Sequence, residues 1–106
     1  MTKDQKMAED KTRLTTEQID DELRKLDGWA RVGIFLKKDF IFANFKEINT
    51  FLPHLASTIV ELNHHPDFSL SCAQKKISIK VTTHSEGWLT KSDLDLARTL
   101  EKWIDL

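Results

Sequence analysis

Two histidines stand side by side in His64-His65-Pro66, and a third, His84, follows 20 positions after His64, with Asp93 another 9 positions on. Imidazole is the side chain whose unperturbed pKa lies between pH 5 and 8, so a group of them can give and take protons near neutrality. The chemistry that suits such residues is general acid and base catalysis. A metal site built from His64, His65, His84 and Asp93 is the competing chemistry. It is disfavoured because adjacent histidines rarely converge on one tetrahedral ion, and neither His-x-His nor His-x-x-x-His spacing occurs.

Each of these residues also has a structural use. His64 and His65 close a helical pattern, where imidazoles can bond the last carbonyls and suit the helix dipole. His84 lies at a strand end, and alternation puts it with Ser78, Lys80 and Thr82, opposite Ile77, Ile79 and Val81; a bulge there would undo that parity. Asp93 completes Thr90-x-x-Asp93, a capping box. His54, alone on a helix, reads as a solvated surface residue, and Cys72 as a small core residue with nothing nearby to activate its thiol. Phe40, Phe42 and Phe45 read as core, and the three tryptophans as core or interface anchors.

The elements that must position these groups follow from periodicity. Residues 1–13 are polar and without period and read as a flexible arm. Thr15 and Gln18 form a capping pair, and Ile19, Leu23 and Leu26 share a stripe, which predicts a helix over 16–26 closed by Asp27-Gly28. From Trp29 to Phe42 the period becomes two, with Ile34, Leu36, Phe40 and Phe42 on one side, which predicts two strands turning near Gly33. Asn44 and Glu47 cap a helix whose stripe is Phe45, Ile48, Leu52, Leu55, Ile59 and Leu62. Pro53 should kink it, and Pro66 must end it by His65. Two more strands follow, around Phe68-Leu70-Cys72 and Ile77-Ile79-Val81, joined by residues 73–76. A last helix opens at Thr90, with Leu96, Ala97, Leu100, Trp103 and Ile104 facing inward. The expected fold is α+β, in the order α-β-β-α-β-β-α: a four-stranded antiparallel sheet with three helices on one face.

Composition bounds the rest. A chain of 106 residues is one domain, assigned here to 14–106. Sixteen basic residues against seventeen acidic ones give a net charge of -1, without the basic stripe of a nucleic-acid binder. No apolar run approaches the ~20 residues needed to cross a bilayer. The single cysteine and the polar N-terminus, which lacks the apolar core of a secretory signal, lead us to expect a reducing compartment, the cytoplasm.

The run Glu61-Leu62-Asn63-His64-His65-Pro66-Asp67-Phe68, followed by Thr82-Thr83-His84 and Leu89-Thr90-Lys91-Ser92-Asp93, resembles the pterin-4a-carbinolamine dehydratases. Some animal members also serve as dimerisation cofactors of a homeodomain transcription factor. The resemblance runs from about Leu14 to Trp103. It implies the same fold and a hydro-lyase that dehydrates 4a-hydroxytetrahydropterin to quinonoid dihydropterin and water, recycling tetrahydrobiopterin without cofactor or metal. It implies His64 and His84 as the acid and base pair, His65 as an orienting group and Asp93 as support for a histidine. Glu61, Asn63, Asp67, Thr82 and Thr83 are the implied substrate-binding residues. A homodimer or homotetramer follows from the same resemblance, with no direct nucleic-acid or membrane partner. The alternative is a non-catalytic interaction module on the same fold, of the coactivator kind. Three positions and one loop length depart from the family pattern. Val60 stands where an acidic residue is usual, with Glu61 one residue later, and Cys72 replaces an aromatic. Trp88 replaces a glycine, and the hairpin between the histidine segments is about two residues longer.

Overall fold

Three capping pairs open the three helices, each at the place where the sequence carries it. Thr15 Oγ1 accepts from the Gln18 N–H while Gln18 Oε1 accepts from the Thr15 N–H, and helix α1 follows over Thr16–Leu23. Asn44 Oδ1 accepts from the Glu47 N–H at the start of α2, Phe45–Leu62. Asp93 reaches back to the Thr90 N–H at the start of α3, Lys91–Glu101. Between them lie strands β1 (Ala30–Val32), β2 (Phe35–Ile41), β3 (Asp67–Ser71) and β4 (Lys76–Val81). The computed structural model describes residues 9–106.

All strand pairs are antiparallel, in the order β1-β2-β4-β3. The β2–β4 register sets Leu36 opposite Val81, Lys38 opposite Ile79 and Phe40 opposite Ile77, so one face of the central pair is apolar apart from Lys38. That face packs with Ile48, Phe51 and Leu55 of α2 and Leu96, Ala97 and Leu100 of α3 in one core. Phe51 anchors it, with ring centroids 4.7 Å from Phe40 and 5.3 Å from Phe42, and Trp103 closes against Phe42 at 5.1 Å. On the other face of β2, Lys37, Asp39 and Ile41 are exposed. The α+β architecture and element order are those expected from the sequence.

Several local expectations are corrected. Helix α1 ends at Leu23 rather than Leu26, because the chain tightens into i→i−3 bonds, Lys25 N–H to Glu22 and Leu26 N–H to Leu23. Pro53 lies within α2, which ends before His65 as expected; the bond that proline cannot make falls at the exposed Asn49, where water can replace it. Phe45 is 54% exposed: as the first residue of α2 it sits beside the β3–β4 turn, its ring under the Lys75 ammonium at 5.3 Å. Cys72 is exposed because β3 stops at Ser71 and residues 72–75 form the turn, one position earlier than expected. His54 is half-buried, with Nε2 2.6 Å from the Thr99 carbonyl, and so ties α2 to α3 instead of facing solvent. Of the arm assigned to 1–13, residues 1–8 lie outside the described residues. Asp10 and Thr12 are hydrogen-bonded to Ser92 and Lys91 at the start of α3, so the packed chain starts before Leu14.

Candidate active site

Helix α2 ends where Asn63 adopts the left-handed conformation (φ 52°, ψ 43°), and this turn throws the next two side chains apart. His64 is buried and His65 exposed. Neither imidazole is needed as the helix cap, since Asn63 fills that place. His84 has left strand β4: the chain crosses a bridge at Thr83–Trp88 and opens a single 3₁₀ turn, His84–Glu86, closed by Gly87 at φ 62°. Strand parity therefore does not govern His84. Its ring stands edge-on to Phe35 with centroids 6.4 Å apart.

These segments meet at a pocket of about 220 Å³ lined by Glu9, Lys11, His64, His65, Thr82, Thr83, His84 and Ser85. Asp93 lies behind His64 and is fully buried. Asp93 Oδ1 is 2.7 Å from His64 Nε2, and its Oδ2 accepts from the Thr83 hydroxyl and the Thr90 N–H, both at 2.8 Å. On the other side of the ring, His64 Nδ1 is 2.6 Å from Glu9 Oε2. Burial by itself lowers the pKa of His64. The hydrogen bonds to Asp93 and to Glu9, with the charges of both carboxylates, outweigh it and raise the pKa above the ordinary histidine value. The site thus holds one imidazole between two carboxylates with two others beside it. Among the described residues no buried side-chain polar atom lacks a partner, and no three His, Cys, Asp or Glu side chains form a metal-binding group.

Of the residues singled out from the sequence, the structure brings His64, His65, His84, Thr82 and Thr83 to this pocket, with Asp93 directly behind. The Thr82 hydroxyl donates to the Ile34 carbonyl at 2.5 Å and that of Thr83 to Asp93, so both hydroxyls are engaged within the protein. Glu61 and Asn63 are exposed and outside the pocket lining. Asp67 lines a separate concavity on the sheet with Lys37, Phe68 and Lys80. Glu9, Lys11 and Ser85 line the pocket without having been anticipated. Glu9 and Lys11 sit in an unpatterned polar stretch, and no periodicity or motif marks them.

The pterin 4 alpha carbinolamine dehydratase family profile matches residues 12–103. A protein of Sulfurisphaera tokodaii named "Putative pterin-4-alpha-carbinolamine dehydratase" is 34% identical over 92 residues, covering 87% of this chain and 97% of its own. One of the same name from Picosynechococcus sp. is 35% identical over 91 residues, covering 86% and 97%. The crystal structure of a transcriptional coactivator/pterin dehydratase from Brucella melitensis superposes with a TM-score of 0.79 at 29% identity, over 87% of this chain and 98% of that one. With the fold, the family profile and these relatives in agreement over nearly the whole described chain, this protein belongs to the pterin 4 alpha carbinolamine dehydratase family.

Proposed function

We propose that this protein dehydrates a 4a-hydroxytetrahydropterin to the quinonoid dihydropterin by histidine acid and base catalysis, in recycling of the tetrahydropterin. The observation that carries this reading is the convergence of His64, His65 and His84 on one pocket, with His64 held between two carboxylates. Hydroxide is a poor leaving group and the neighbouring ring N–H is a weak acid, so the reaction needs a proton delivered to oxygen and another removed from nitrogen. His64, with a carboxylate at each ring nitrogen, is the donor to the hydroxyl on C4a. His84, across the pocket, accepts the ring proton, and His65 orients the ring. At about 220 Å³ the pocket is smaller than the ~300–1,000 Å³ of most ligand sites, which suits one small bicyclic ring with an edge left at the surface.

The test is to mix the protein with freshly generated 4a-hydroxytetrahydropterin and follow its loss. Dehydration faster than in buffer is expected, with His64→Ala and His84→Ala each slower by ~10²- to 10⁴-fold. No acceleration by the wild type overturns the reading.

An assembly surface is the second part of the proposal. Strand β3 is an edge strand on which Phe68 and Leu70 are 48% and 39% exposed, and Val60 on α2 is also exposed. Unpaired strand edges with apolar side chains favour pairing with a second chain, which supports a homodimer or homotetramer; light scattering that shows only monomer overturns it.

A further inference from the structure

Both ring nitrogens of His64 are taken by carboxylates, Nε2 by Asp93 at 2.7 Å and Nδ1 by Glu9 at 2.6 Å. A neutral imidazole has a single N–H and can satisfy only one of them, whereas the imidazolium satisfies both. The two partners differ. Asp93 is fully buried and fixed by Thr83 and Thr90, while the Glu9 side chain is 24% exposed and lines the pocket. Asp93 is therefore the fixed anchor of the ring, and Glu9 is the partner on the side from which a ligand enters.

The backbone that delivers Glu9 is built into the fold. The Asp10 carbonyl accepts from the Ser92 N–H and the Ser92 hydroxyl, each at 2.9 Å, and the Thr12 carbonyl accepts from the Lys91 N–H at 3.0 Å. The two N–H groups belong to the first turn of α3, where no helical carbonyl can satisfy them. Arg13 adds a bond from its guanidinium to the Glu86 carbonyl at 2.8 Å. Helix α2 offers no substitute, since Val60 is apolar and Glu61 lies outside the pocket lining.

We propose that Glu9 is a positioning residue of the acid and base site, which keeps the proton on His64 Nδ1 and yields that N–H to the leaving hydroxyl of the substrate. The proposal rests on His64 being the proton donor. On substrate binding the hydroxyl replaces Glu9 at Nδ1. The proton passes to oxygen, the C4a–O bond breaks with its electron pair on oxygen, and water leaves. His64 is left neutral with its remaining proton on Nε2 toward Asp93, and a solvent proton restores the pair with Glu9. The charged and titratable groups around His64 are Glu9 and Asp93 in contact and Lys11, His65 and His84 around the pocket.

Glu9→Gln preserves length and removes charge. Ring-resolved NMR titration of the ligand-free protein should show the His64 pKa lower by ~1 or more than in wild type. The alkaline limb of kcat/KM should move to lower pH with it, because the donor must be protonated. The loss should reach ~10-fold above the wild-type limb and vanish at low pH, where His64 is charged in both proteins. An unchanged His64 pKa, or a loss of equal size at every pH, overturns the proposal. If the wild type fails to dehydrate the pterin, the dehydratase reading fails, while the NMR titration still decides whether Glu9 controls His64.

Discussion

Asp93 holds His64 with one carboxylate oxygen and the start of its own helix with the other. Oδ1 lies 2.7 Å from His64 Nε2, and Oδ2 takes the Thr90 N–H at 2.8 Å. The cap of α3 and the bond to His64, which compete for this residue in the sequence, are thus made together. The same side chain that starts α3 fixes the tilt of the imidazole. Thr83, donating to Oδ2, ties the strand end to the same point.

Asp93→Asn separates these roles. The amide oxygen can still accept from the Thr90 N–H, but its NH₂ then faces the Nε2–H of His64, donor against donor. Stability should fall by ~2 kcal/mol, the scale of a lost bond to a charged group. Dehydration should slow by ~10²-fold, at the lower end of what removing a general acid costs. Urea denaturation and the pterin assay measure the two effects, and wild-type values in both would show that Asp93 does not hold His64.

The stability of the protein should depend on pH through His64. Its folded pKa is raised, by the hydrogen bonds and charges of Asp93 and Glu9 acting against burial, so the native state binds the proton more tightly than the unfolded chain. That contribution is fully present below the unfolded value of ~6.5 and is lost as pH rises through the folded pKa. The wild-type urea midpoint should therefore fall as pH climbs from ~6.5 through that window. His64→Gln should flatten this part of the curve; an equal fall in the variant would assign it to other groups.

The fold was legible because its signals are local. Each capping pair, Thr15 with Gln18, Asn44 with Glu47 and Thr90 with Asp93, opens a helix, and the two-residue period of Ile77, Ile79 and Val81 is the buried face of β4. Errors arose where an element stops, since periodicity does not say which residue is last. Cys72 falls just past such an end, and Phe45 opens α2 at its exposed first position; both face water. His64, His65 and His84 were visible by residue type, but the 3₁₀ turn that frees His84 from strand parity leaves no pattern. Glu9 was invisible for another reason: it lies 55 positions from His64, and only the folded chain brings the two together.

Gly28→Ala should destabilise the turn after α1. Gly28 has φ +84°, and an added Cβ would sit 3.0 Å from Lys38 Cε. The left-handed backbone alone costs an alanine ~1–2 kcal/mol. Lys38 cannot move aside freely, because its ammonium donates to the Asp27 carbonyl at 2.8 Å and to Glu101 at 2.6 Å. A lower denaturation midpoint is expected, with kinetic constants unchanged at temperatures where the variant is folded, since neither Gly28 nor Lys38 lines the pocket. A midpoint equal to wild type would mean that the turn relaxes without cost.

Glu101 joins the last helix to the first hairpin, and its removal should be felt by two partners. Its Oε2 accepts from the Trp29 indole N–H at 2.8 Å and from Lys38 Nζ at 2.6 Å, with both ends of the ion pair largely shielded from water. Glu101→Ala leaves the indole and the ammonium short of an acceptor, which should cost ~1–3 kcal/mol. Lys38→Met made in the Glu101→Ala background should then cost less than in wild type, because the ion pair is already gone. A double-mutant cycle by urea denaturation should give a coupling of ~0.5–3 kcal/mol between the two positions. Additive losses would show that Glu101 acts through Trp29 alone, and that the hairpin is held to α3 by the indole rather than by charge.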